Sequence, residues 1–84
     1  MTVDRLIKLL ATHDPVELIK MGRPRDEYEF EAKALVNKIP KAKTQAELSR
    51  MLYLEFLNLF GCADVIGPRD RYDRIAEDIW FSRN

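Results

Sequence analysis

The sequence predicts an all-α fold: a compact single-domain bundle of four to five helices spanning residues 1–84, built around a central apolar helix at about 45–60. Two observations carry that expectation. Between the glycines and prolines that punctuate the chain, apolar residues recur with helical spacing, and strict alternation never lasts beyond a few residues. One segment, Gln45 to Phe60, is apolar around nearly its whole circumference, as a helix wrapped by others is.

The first helix is expected from about Val3 to His13. Val3, Leu6, Ile7 and Leu10 form its apolar stripe, and Thr2 is placed to cap it. Asp14-Pro15 then restarts the chain: an aspartate that can accept from orphan amides precedes a proline whose φ suits a first turn. Val16, Leu18, Ile19 and Met21 follow, and Gly22 reads as a stop, so a short second helix is expected there. A third begins near Pro24 or Asp26, where Asp26 and Glu29 have capping-box spacing. Tyr28, Ala32, Leu35, Val36 and Ile39 make its stripe, and Pro40 ends it. Lys41-Ala42-Lys43 connects to Thr44-Gln45-Ala46-Glu47, the clearest capping box in the chain, which opens the central helix. Gly61 closes it. After a turn through Gly67-Pro68, a last helix runs from about Arg69 to Phe81, with Tyr72, Ile75, Ala76, Ile79 and Trp80 on its apolar face.

Composition narrows the function classes. The 84 residues carry 14 Lys+Arg against 14 Asp+Glu, and 46% are apolar. That apolar share with no net charge excludes a disordered tail, and the zero balance argues against a uniformly basic nucleic-acid binder. Cys62 is the single cysteine, so no disulfide forms within the chain, which fits a reducing compartment; it reads as a small filler after the central helix. The start of the chain is broken by Lys8 and His13 and does not resemble a signal peptide. The longest nearly apolar stretch, Met51 to Ala63, holds Glu55 and Asn58 and is too short to span a bilayer. A soluble cytoplasmic protein with no membrane contact is expected.

Familiar catalytic constellations are missing. His13 stands beside Asp14 at the end of a helix, far in sequence from Cys62; Ser49 and Ser82 have no nucleophile elbow. The chain shows neither a Cys/His cluster for zinc nor a phosphate-binding glycine loop. No catalytic residue, metal or cofactor is therefore expected, and the chain reads as non-enzymatic. The charges are unevenly spread, however. Asp26, Glu27, Glu29 and Glu31 form an acidic run without EF-hand spacing, interleaved with Tyr28 and Phe30. Phe30 falls off the apolar stripe, and with Tyr53 and Phe81 it is a candidate for exposure. The acidic-aromatic corner Asp26, Glu27, Tyr28, Glu29, Phe30 and Glu31 suits a basic protein partner. A protein–protein interaction module is expected, in its most concrete form an immunity- or antitoxin-like protein capping a basic partner; the apolar content also leaves room for a homodimer. The alternative is a nucleic-acid-binding or regulatory protein using the basic segments 33–43 and 69–74, through Lys38, Lys41, Lys43, Arg69, Arg71 and Arg74. Acids interleaved among the last three disfavour it.

Residues 24–32 and 68–76 share the pattern P-R-D-x-Y-[acid]-x-x-A. Helix-start chemistry alone favours such residues, so convergence and an old duplication both account for it. Asp14-Pro15, Gly22-x-Pro24-x-Asp26-Glu27-Tyr28-x-x-Glu31, Glu47-Leu48, Phe60-Gly61 and Ile75-Ala76-Glu77-Asp78-Ile79 together resemble a family of small bacterial all-helical proteins, the domain-of-unknown-function 1871 type. The resemblance covers about residues 13–81 and is most specific from Gly22 to Glu31; His13 departs from the family's tryptophan. It implies an all-α domain in a bacterial cytoplasm and supplies no activity and no catalytic residue.

Overall fold

The computed structural model describes residues 1–22 and 25–82, with the side chains of Arg25 and Asp26 outside that description. Its helices are α1 (Val3–His13), α2 (Glu29–Leu35), α3 (Gln45–Phe60), α4 (Ala63–Ile66) and α5 (Arg69–Ser82). Two 3-10 turns, Arg25–Tyr28 and Ile39–Lys41, flank α2, and no strand occurs among the described residues. The radius of gyration, 11.6 Å, matches the roughly 12 Å of one folded domain this long.

The long helices follow their sequence signals. Thr2 accepts from Arg5 N at 3.2 Å to start α1. Thr44 accepts from Glu47 N at 3.0 Å to start α3, while Glu47 reaches back to Lys43 N rather than to Thr44. Gly61 ends α3 in the left-handed region at φ 72°, which glycine enters without a Cβ penalty.

Three expectations fail for identifiable reasons. Residues 15–22 form turns, not a helix. Asp14 is itself left-handed (φ 50°) as the C-cap of α1, and Glu17 is left-handed too (φ 59°), so no helix can propagate from Pro15. The helix expected to reach Ile39 stops at Leu35. Pro40 has no N–H for the carbonyl of Val36 and its ring would crowd that carbonyl, so the chain tightens into turns: Lys38 N bonds Leu35 O at 2.8 Å and Lys41 N bonds Lys38 O at 3.0 Å. Pro24, the other expected start of that helix, lies outside the described residues. Finally, the turn after Gly61 contains α4, four residues too short to show a period, and Cys62 before it is exposed instead of filling the core.

The core is organised around Phe56 on α3. Its ring lies 6.5 Å from that of Tyr28 and 5.4 Å from that of Tyr72, all three fully buried, and it stacks on Phe60 at 5.9 Å. The two tyrosines of the repeated pattern therefore approach the same central ring. Leu6 and Leu10 from α1, Leu35, Ile39, Leu48, Leu52, Ile66, Ile75 and Ile79 are the other large side chains buried with them. A polar lock joins α3 to α5. Buried Ser49 donates to Asp73, Arg69 donates to both, and the Arg69 guanidinium lies 5.5 Å above the Tyr53 ring. His13 and Asp78, 2.6 Å apart, link the last turn of α1 to α5.

The central helix is not covered on every side. Leu54 is 48% exposed and Met51 half-buried, so one face of α3 stays open.

Candidate functional site

The expected acidic-aromatic corner divides into an inner and an outer half. Tyr28, Glu31, Ala32 and Leu35 follow i, i+3, i+4, i+7 spacing and all point into the bundle. Glu29 and Phe30 fall on the opposite side, and Phe30 is 69% exposed. Glu27 is half-buried between the two halves. Glu29 lies 3.3 Å from Lys33, one turn along α2. A partner approaching this face meets Phe30, Glu29 and the edge of Glu27; Tyr28 and Glu31 are beneath it.

Tyr28 fixes the corner. Its hydroxyl donates to Asp14 Oδ1 at 2.6 Å and accepts from Val16 N at 3.3 Å. The same carboxylate accepts from Ile19 N and Lys20 N, both at 2.9 Å. Asp14 thus gathers the loop after α1 and ties it to the start of α2. Burial opposes the charge of Asp14, but the bonds from Tyr28, Ile19 and Lys20 outweigh it and hold the carboxyl below its ordinary range. Burial and the negative Asp14 push the Tyr28 hydroxyl far up, so it remains a donor. From the other side Arg71 donates to the carbonyl of Pro15. A Cβ at Gly67 would lie 2.7 Å from the Arg71 guanidinium and displace the end of that side chain, and the positive φ of +81° is the conformation that favours glycine there. Asp14 and Tyr28, two positions of the motif behind the family resemblance, are therefore direct partners.

Glu31 is the site's unusual member. It is 6% exposed, and its Oε2 is buried without a hydrogen-bond partner. Burial raises its pKa, its own backbone N–H partly offsets this, and the charge of Glu27 raises it further. A folded-state pKa above the unfolded one means the native state holds the extra proton, so stability falls as pH rises from about 4.5 through the folded value. Glu31→Gln is expected to raise the melting temperature at pH 7 by several degrees, with the gain shrinking towards pH 4. Thermal melts of both proteins across that range check it; a difference independent of pH would contradict it.

Half of the six residues named for the basic alternative are engaged within the fold. Lys38 bonds Glu55 at 2.7 Å, Arg69 is held by Ser49, Asp73 and Tyr53, and Arg71 by Pro15. Lys41, Lys43 and Arg74 are exposed. His13 is taken by Asp78. Among the described residues no three His, Cys, Asp or Glu side chains stand together as a metal site, and no helix is long and apolar enough to cross a membrane.

No protein-family model, curated protein or solved structure matches the chain.

Proposed function

We propose that this protein is a non-catalytic protein-binding module that presents the outer face of α2, centred on Phe30 and flanked by Glu29 and Glu27, to a partner with a basic rim around an apolar pocket. An immunity- or antitoxin-like role, capping a basic partner, is the most concrete form of this reading. The carrying observation is Phe30: a large aromatic 69% exposed on a short helix whose opposite face is fully buried. Exposed rings of this kind serve as anchors when a partner's pocket desolvates them, and surrounding charge guides the encounter. Burial of Tyr28 and its bond to Asp14 support the reading, because they hold the helix rigid before binding. A cationic partner would also ease the repulsion between Glu27 and Glu31.

Phe30→Ser and Glu29→Lys test it. Both sites are exposed, so Phe30→Ser should stay within about 0.5 kcal/mol of the parent, and Glu29→Lys, which loses the Lys33 pair and the favourable first-turn charge, within about 1.5 kcal/mol. Affinity capture from the source cell should retain a basic protein on the parent chain that both variants lose. The same proteins retained by all three would refute the assignment of this face.

A further inference from the structure

Glu31 carries a carboxyl into the bundle from a helix that has little to hold it there. Its Oε2 is buried without a hydrogen-bond partner, and Tyr28, Ala32 and Leu35 along the same stripe are fully buried. None of the described ion pairs reaches it. On α1, Asp4, Arg5 and Lys8 are exposed and His13 is bonded to Asp78. On α3, Glu47 and Arg50 are exposed and Glu55 is paired with Lys38. On α2 itself, Lys33 is exposed and paired with Glu29 on the outer side. The turn before α2 brings the Tyr28 hydroxyl, which is given to Asp14, and Glu27, whose charge adds to the cost of ionising Glu31. The side chains of Arg25 and Asp26 in that turn lie outside the described residues. A buried carboxyl so placed is accommodated neutral and resisted as an anion.

α2 is poorly equipped to withstand that charge. It has seven residues, and Tyr28 at its start makes no side-chain cap bond, whereas Thr2 caps α1 and Thr44 caps α3. A helix so short stays formed only while its inner face is packed. Its flanks are fastened separately, by Tyr28 to Asp14 before it and by Lys38 to Glu55 after it. The segment between can therefore swing out with Glu31, Ala32 and Leu35 and leave the contacts among α1, α3 and α5 in place. We propose that α2 is a latch shut by the protonated carboxyl of Glu31, and that loss of this proton lets residues 29–37 open locally. The sign follows from burial. The closed form holds the proton more tightly than the open one, so closure is favoured in acid and weakens as pH rises from about 4.5. Opening dissolves the surface that carries Phe30 and Glu29; this consequence alone rests on the binding role proposed above.

Hydrogen exchange of the free full chain between about pH 4.5 and 8, expressed as protection relative to the unfolded rate at each pH, tests the latch. The amides of residues 33–36, among them Val36 N bonded to Ala32 O, report α2. Those of Leu52 and Phe56, both fully buried on α3, report unfolding of the whole bundle. At about pH 7 the α2 amides should be at least about tenfold less protected than those of Leu52 and Phe56, and nearly indifferent to low urea, as a small opening is. Their protection should fall with rising pH by up to about tenfold per unit, the effect of one proton, and then level off. Glu31→Gln cannot ionise and should keep their protection constant across the range. Any of three results would overturn the proposal. The α2 amides could prove as protected as Leu52 and Phe56; protection at 33–36 in the parent could ignore pH because the carboxyl ionises in place; or Glu31→Gln could show the same fall as the parent. Should Glu31→Gln not fold, the first two comparisons decide on the parent alone. No partner enters this measurement, so its failure leaves the binding face standing, and loss of the binding role leaves the latch standing.

Discussion

Phe56→Ala is expected to destabilise the protein by about 3–5 kcal/mol. A domain of 84 residues has about 4–13 kcal/mol in total, so the variant should unfold at far lower denaturant and leave a weakly stable protein well short of its parent's melting temperature. The reason is position. Phe56 is fully buried and is the one ring that touches Tyr28, Tyr72 and Phe60 together. Removing it takes away the shared floor of both tyrosines, which come from opposite ends of the chain and cannot close the gap without moving α2 or α5. Phe56→Leu keeps most of the volume and should cost much less. Urea titration compares the three proteins; a loss below about 1 kcal/mol for alanine would show that the two tyrosines do not depend on this ring.

Asp14→Ala is the second large effect, at about 2–4 kcal/mol. The carboxylate accepts three hydrogen bonds, from Tyr28 Oη, Ile19 N and Lys20 N, and its removal leaves a buried hydroxyl without its acceptor. Tyr28→Phe should cost less, about 1–2 kcal/mol, and the double variant less than the sum, since both changes break one bond. The pH dependence follows from the sign of the shift. The Asp14 carboxyl titrates below its ordinary value in the folded state, so its contribution is complete above the unfolded pKa of about 3.9 and is lost as pH falls through the lower folded value. Glu31 acts in the opposite sense and slightly higher, so acidification from neutrality should first strengthen the protein and then weaken it. Asp14→Ala should flatten the acid limb and leave the Glu31 limb in place. Melts from pH 2 to 7 separate the two; an unchanged acid limb in Asp14→Ala would remove Asp14 from this account.

These two residues also mark how far the sequence could be read. Helices α1, α3 and α5 were legible because their signals are local: a capping hydroxyl at Thr2 or Thr44, a stripe of apolar residues, and Gly61 at a left-handed stop. Residues 15–22 were not, because Asp14 answers to Tyr28, fourteen positions away, and no local pattern encodes that bond. Glu31 could have been found. It occupies i+3 from Tyr28 within the stripe that Ala32 and Leu35 continue, and the spacing alone places it inward. Its place in the acidic run from Asp26 to Glu31 masks that inward position. Phe30 was legible for the complementary reason, since it falls off that stripe. The open face of α3 was hidden by the composition of the helix itself. A segment apolar on all sides reads as wrapped, whereas Leu54 is 48% exposed.

Hydrogen exchange of the protein, alone and bound to the basic partner that Phe30→Ser fails to retain, tests the central claim most directly. Slowed exchange concentrated in residues 27–34, with Phe30 at its centre, is the predicted result. Protection confined to the basic segments 41–43 and 69–74, with 27–34 unchanged, would contradict it.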